Sequence, residues 1–321
     1  MGIITNGYKK AVIHRYDDEG YIKYFCADDF EGLRSENYEF FSGKNRLAGK
    51  FYYYDGCKKD ELVIFCHGLG GGHRSYMTEI NLLCKRGFEV FTYDATGCFE
   101  SEGRSILCLT QFLADLDSAV KSLKSDGIFQ KSGKIYVVGH SLGGYAAGNI
   151  LNYHADIDRI VVISGAISVK QIIAGILGGA RLPAKKLALK RILAYENKMC
   201  PDYANSSLLD ALAGNEKKYF FAHSTDDAMM PYSYSTGYIK DTVKPAGARF
   251  LIYTDRGHNP NYTADAVRLM NGVFGGFNKA VKEKKVKTFG DKKAYFRDAD
   301  WVRMTAQDKD FWAQVIDFLH S

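Results

Sequence analysis

The chain has 321 residues, 46% of them hydrophobic and 25% charged, and carries a formal net charge of +6. That balance builds a large packed core, and five prolines with no low-complexity run exclude long disordered linkers. No apolar run reaches the roughly 20 residues of a membrane span, and no stripe of interleaved arginines and aromatics marks a nucleic-acid binder.

The length fits one large α/β domain with an insertion, or two modest domains. The first ten residues carry no signal-peptide pattern. The seven cysteines are odd in number and form no C-x-x-C pair, so free thiols in a reducing, cytoplasmic setting are expected. Residues 1–33 read as an N-terminal extension of mixed polar and aromatic character. Residues 38–41 and 47–54 read as strands of a hairpin around Ser42-Gly43-Lys44-Asn45. A buried strand follows at 61–66 and runs into His67-Gly68-Leu69-Gly70-Gly71-Gly72. A helix is expected at 76–86, a strand at 89–93, and an amphipathic helix at 110–124 with Phe112, Leu113, Leu116, Val120 and Leu123 on one face. Strands at 135–138 and 159–164 come next. From Ser168 to about Glu216 the sequence is helix-like with no strand. Strands resume at 219–222 and 250–253, and helices at 263–285 and 308–319 close the chain. Such alternation predicts an α/β fold, a mostly parallel sheet covered on both faces by helices. Five lysines between 279 and 287 read as a solvated helix end.

The chemistry centres on Gly139-His140-Ser141-Leu142-Gly143, set between a β-branched strand and a helix of small residues. This is a G-x-S-x-G nucleophile elbow in its strand-turn-helix context. A serine hydroxyl becomes a nucleophile only when a base takes its proton and it stands clear of its neighbours. The sharp turn meets the second need, and it requires residues without bulk two places before and two after the serine. Gly139 and Gly143 supply them. Acyl transfer also needs N–H groups already aimed where negative charge develops. The glycine-rich loop after the third strand fits, with the N–H of Leu69 and the N–H of Leu142 as expected donors. It is not a phosphate loop, because no Gly-Lys-Ser/Thr follows.

The base is expected late in the chain, in a loop at a strand's carboxyl end. Among the eight histidines, His258 in Asp255-Arg256-Gly257-His258-Asn259-Pro260 fits. His73 reads as a surface residue and His223 as a packed, hydrogen-bonded one. No pair has H-E-x-x-H spacing, so neither a metal nor another cofactor is expected. The acid lies between nucleophile and base in this chain order. His223-Ser224-Thr225-Asp226-Asp227-Ala228-Met229-Met230-Pro231 offers Asp226 and Asp227 directly after a strand.

In the order of these motifs, residues 36–320 resemble the α/β-hydrolase superfamily. Within it they are most similar to capped serine esterases grouped with monoacylglycerol lipases, feruloyl esterases and serine aminopeptidase-type hydrolases. The resemblance implies Ser141 as nucleophile and His258 as base. Its acid pattern, H-G-x-x-D-x-x-V-P, selects Asp227, which stands three places before Met230-Pro231. Asp226, one residue nearer the strand, is then expected to bond the turn backbone. Residues 94–101 depart from the family's D-x-R-G-x-G-x-S: Asp94, Gly97 and Ser101 hold, while Thr96 and Phe99 replace the arginine and the second glycine. That loop is expected to border the active site.

The resemblance also implies three segments: core 1–167, a helical cap 168–216 inserted after the sixth strand, and core 217–321. Ile172, Ile173, Ile176 and Leu177 form one apolar cluster of the insert, and Leu187, Ile192, Leu193 and Tyr195 another. The expected activity is a serine hydrolase cleaving small-molecule carboxylic esters, with short or medium acyl or aryl groups favoured. Thioester, acyl-peptide or C–C cleavage on the same triad, or a non-catalytic binding protein of this fold, are the alternatives. No nucleic-acid partner and no stable membrane insertion are expected, and the sequence leaves the oligomeric state open.

Overall fold

Eight strands form a single sheet in the order β1-β2-β4-β3-β5-β6-β7-β8 in a computed structural model that describes residues 2–178 and 182–321. The strands are β1 (Arg34–Ser42), β2 (Asn45–Tyr53), β3 (Lys58–Cys66), β4 (Phe88–Tyr93), β5 (Lys134–His140), β6 (Arg159–Ile163), β7 (Tyr219–Ser224) and β8 (Arg249–Tyr253). β2 runs antiparallel to β1 and β4, and every other pairing is parallel.

The central strands are continuous apolar runs because both faces are covered. Alternate residues part to opposite sides. Leu62 and Ile64 join a core with Phe112, Leu113, Leu116, Val120 and Tyr145, from helices Gln111–Ser125 and Leu142–Asn149. Val63 and Phe65 join the other core, with Ile80, Leu83, Phe311, Trp312 and Val315 from helices Met77–Lys85 and Lys309–His320. The helix expected at 76–86 opens as a short 3-10 turn, His73–Tyr76. β1 extends the expected strand backwards through Arg34 to Asn37, four exposed polar residues that carry no alternation to read.

Between β6 and β7 lie helices Val169–Ile176, Pro183–Met199 and Leu208–Leu212, with no strand among the described residues; 179–181 of the expected cap lie outside them. The two apolar clusters read in the insert do not act as units. Ile173, Ile192 and Tyr195 enter the main core, whereas Leu187 is exposed.

Residues 1–33 are more than an extension. Helix Ile3–Val12 buries Tyr8 and Val12 in the main core, and the Tyr8 hydroxyl donates to Glu196 of helix Pro183–Met199 at 2.7 Å. Glu196 is fully buried. Its carboxylate also accepts the Thr110 N–H at 3.0 Å and the Thr110 hydroxyl at 2.8 Å, at the start of helix Gln111–Ser125. A carboxylate suits that place because the first N–H groups of a helix lack intrahelical acceptors. Helix Phe289–Phe296, absent from the elements expected above, opens with a capping box of Thr288 and Asp291.

Candidate active site

Ser141 leaves β5 with φ 57° and ψ −119°, a left-handed conformation that costs a non-glycine residue on the order of 1–3 kcal/mol. The two elbow glycines explain how the turn closes. A Cβ on Gly139 would sit 2.2 Å from the Gly143 carbonyl oxygen, and one on Gly143 would sit 2.2 Å from that of Cys66. Any side chain at either place would push strand and helix apart and carry the hydroxyl with them.

The acid loop leaves the end of β7. Asp227 is 4% exposed, and its Oδ2 accepts the Nδ1–H of His258 at 2.7 Å. Its Oδ1 accepts the N–H groups of Met229 at 2.9 Å and Met230 at 2.8 Å. His223 adds a second imidazole, its Nε2 lying 3.3 Å from Asp227 Oδ2 and 2.8 Å from the Met230 carbonyl oxygen. Burial alone would push this carboxyl up. The hydrogen bonds from His223 and His258 and the neighbouring imidazole charge outweigh it and hold the group well below the usual carboxylate range. With Nδ1 committed to Asp227, His258 turns Nε2 away from the acid. That atom is buried and has no hydrogen-bond partner among the described residues.

Asp226 points elsewhere. Its Oδ1 accepts the N–H of Gly257 at 2.9 Å and the Ser224 hydroxyl, and Ser224 Oγ accepts the N–H of Arg256 at 3.1 Å. It ties the histidine loop to the end of β7.

His140 joins three loops. Its Nε2–H donates to the carbonyl oxygen of His258 at 2.8 Å, so Nδ1 accepts the Tyr76 O–H at 2.9 Å; the Tyr76 oxygen in turn accepts the Gly68 N–H at 3.0 Å. Burial, then the nearby His258, bring the His140 pKa from 6.5 down to about 3. A folded-state value below the unfolded one means stability that is full above about 6.5 and falls as pH drops toward about 3. The unfolding midpoint is therefore expected to decline from pH 7 to pH 5, and His140→Asn should flatten that decline. Parallel slopes in the two proteins, measured by thermal unfolding across the range, would contradict it. Apart from its place in the motif, nothing in the order of residues marks His140 for this role.

Leu69 and Leu142, the expected oxyanion donors, flank Ser141 in one cavity of about 340 Å³. Leu142 opens its helix, where N–H groups have no intrahelical acceptor. His67 braces the glycine loop, donating from Nδ1 to the Gly68 carbonyl oxygen at 2.8 Å and accepting the Ala95 N–H on Nε2 at 2.9 Å.

Two expectations need correction. His73 is 1% exposed rather than a surface residue. Asp94, fully buried, accepts both its N–H at 2.7 Å and its Nδ1–H at 2.9 Å. A buried carboxylate must be paired, and the nearest donors are those at the end of the glycine loop. Nor does 94–101 line the cavity. It braces the glycine loop from behind, where Phe99, at φ 40°, puts its ring against Gly72.

The cavity wall is Leu69, Leu109, Leu142, Ile172, Ile176, Met229 and Met230, with Gly68, Tyr76, His140, Ser141 and His258 completing it. No Lys, Arg, Asp or Glu lines it among the described residues.

The model of the family described as serine aminopeptidase, S33, matches residues 58–234, more than half of the chain. A proline iminopeptidase of Thermoplasma volcanium is 24% identical over 133 residues, 40% of this chain and 43% of that protein, so the match spans less than half of the relative's length. An esterase of Pyrococcus furiosus superposes with a TM-score of 0.58 at 20% identity, over 85% of this chain and 96% of the other. An acylaminoacyl peptidase of Pyrococcus horikoshii gives 0.51 at 14% identity, over 72% of this chain and 38% of its own. These likenesses carry the fold, and the matched family carries the class: the chain belongs to the serine aminopeptidase (S33) family of α/β-hydrolases.

Proposed function

We propose that this protein is a serine hydrolase acting on carboxylic esters of short to medium apolar or aryl acids. Ser141 attacks the ester carbonyl while His258 Nε2 takes its proton, and Asp227 holds the imidazole in the required tautomer. The N–H groups of Leu69 and Leu142 receive the developing oxyanion. His258 then protonates the leaving alcohol and activates the water that releases the acid.

The observation that favours an ester over a peptide with a free amino terminus is the uncharged wall of the cavity. A cationic α-amine leaves water only for a carboxylate partner, and Asp227, the carboxylate on His258, is already held by two imidazoles and two amides. The volume lies near the lower end of small-molecule sites, about 300–1,000 Å³, which favours short and medium acyl chains. In this reading 168–216 is a cap between core segments 1–167 and 217–321, and Ile172 and Ile176 roof the acyl group. Seven free cysteines suit a reducing compartment such as the cytoplasm.

A panel of nitrophenyl esters from acetate to palmitate, run beside aminoacyl nitroanilides, tests the reading. Maximal kcat/KM on short to medium acyl groups, with the nitroanilides at least about a hundredfold poorer, is expected; an unpaired buried charge of roughly 3 kcal/mol or more corresponds to that ratio. A preference for aminoacyl substrates would overturn it, as would turnover rising steadily to the longest acid.

A further inference from the structure

Residues 279–297 hold eight of the chain's 43 basic residues and two of its 37 acidic ones, so this stretch alone has a net charge of +6. The whole chain is also +6, so everything outside the stretch balances to neutral. The stretch comprises the last turn of helix Ala264–Lys282, a connecting turn, and helix Phe289–Phe296. It sits on a small core of its own, in which Phe277, Val286 and Phe296 pack with Tyr21. None of it lines the cavity at Ser141.

Its acids do little to neutralise it. Glu283 meets Lys285 at 2.7 Å and Lys279 at 4.0 Å, while Asp291 accepts the N–H groups of Lys287 and Thr288 as a helix cap. Lys279 and Lys285 remain 77% and 73% exposed. A solvated helix end accounts for such lysines but not for the apolar side chains among them. Val281 is 41% exposed, Phe289 54% and Tyr295 37%. Lys293 Nζ lies 5.0 Å above the Phe289 ring.

We propose that this lobe docks the protein on an anionic phospholipid surface. Lysines drawn to a negative surface contribute about 1 kcal/mol each. Apolar side chains set among them enter the headgroup boundary, the pattern of a peripheral membrane contact. Charge alone would equally suit a polynucleotide. However, seven of the eight cations are lysines, and an exposed aliphatic such as Val281 offers nothing to a base stack. No helix among the described residues is long and apolar enough to cross a membrane, so the contact is a surface one.

The test is co-sedimentation of the full chain with phosphatidylcholine vesicles, alone or with about a third phosphatidylglycerol, at about 0.1 M and about 1 M salt. Binding at least about tenfold tighter to the anionic vesicles, and lost at high salt, is expected. The variant Lys282→Gln/Lys285→Gln/Lys287→Gln should lose about tenfold or more of it. Phe289→Ser should lose severalfold. Both should hydrolyse a soluble nitrophenyl ester like wild type, which also certifies their fold. Equal binding to the two vesicles, binding to neither, or an unaffected triple variant would overturn the proposal. So would preference for a duplex or single-stranded oligonucleotide over the vesicles.

Discussion

Ser141→Ala is expected to lower turnover on a nitrophenyl ester by about a million-fold, the usual cost of a lost triad nucleophile. The unfolding midpoint should hardly move. The substitution deletes one partly exposed hydroxyl and keeps the Cβ that the elbow already accommodates. The backbone strain at φ 57° is unchanged, since alanine dislikes that region as much as serine does. Gly139 and Gly143 still set the distance between strand and helix. Stability and activity should therefore part company, as they do for a group that acts on substrate rather than on the fold. Activity within tenfold of wild type, measured on protein of matching thermal stability, would end the assignment.

Asp227→Asn is expected to cost about ten-thousand-fold in turnover, the scale of an acid-to-amide change in such a triad. The amide has nearly the same shape but offers only one acceptor oxygen. Met229 N–H, Met230 N–H and the two imidazoles together need more than that. His258 loses the charge that stabilises its imidazolium and the acceptor that fixes its tautomer. Asp226→Asn removes less. Its carbonyl oxygen can still accept the Gly257 N–H, which holds the histidine loop in place, and a loss of about tenfold or under is expected. Steady-state kinetics on the two variants decide between them. A larger loss at Asp226 would reverse the roles, and a crystal structure of each variant would exclude collapse of the loop as the cause.

The parts legible in the sequence are those whose physics is local. The elbow is legible because strand, glycine spacing and helix lie within a few residues of Ser141, and the steric need for Gly139 and Gly143 follows from that geometry. The strands are legible where burial is two-sided, as in Leu62 to Phe65, and illegible where β1 runs through exposed Arg34 to Asn37. What the sequence hid are contacts between distant polar residues, which have no period. Tyr8 meets Glu196, His73 meets Asp94, and Tyr76 meets His140, each across a gap no spacing rule spans. Helix Ile3–Val12 was hidden for a second reason. Its ten residues include Thr5, Asn6 and Gly7, weak helix formers, and its stability comes from docking on the insert and the core.

In the proposed mechanism Ser141 Oγ is the nucleophile that carries the acyl group. Native protein treated with a fluorophosphonate, digested and mapped by mass spectrometry shows whether it is. A single adduct on the peptide containing Ser141, absent after heat denaturation and from Ser141→Ala, is the expected result. Native protein that stays unlabelled, or a label on another residue, would contradict it.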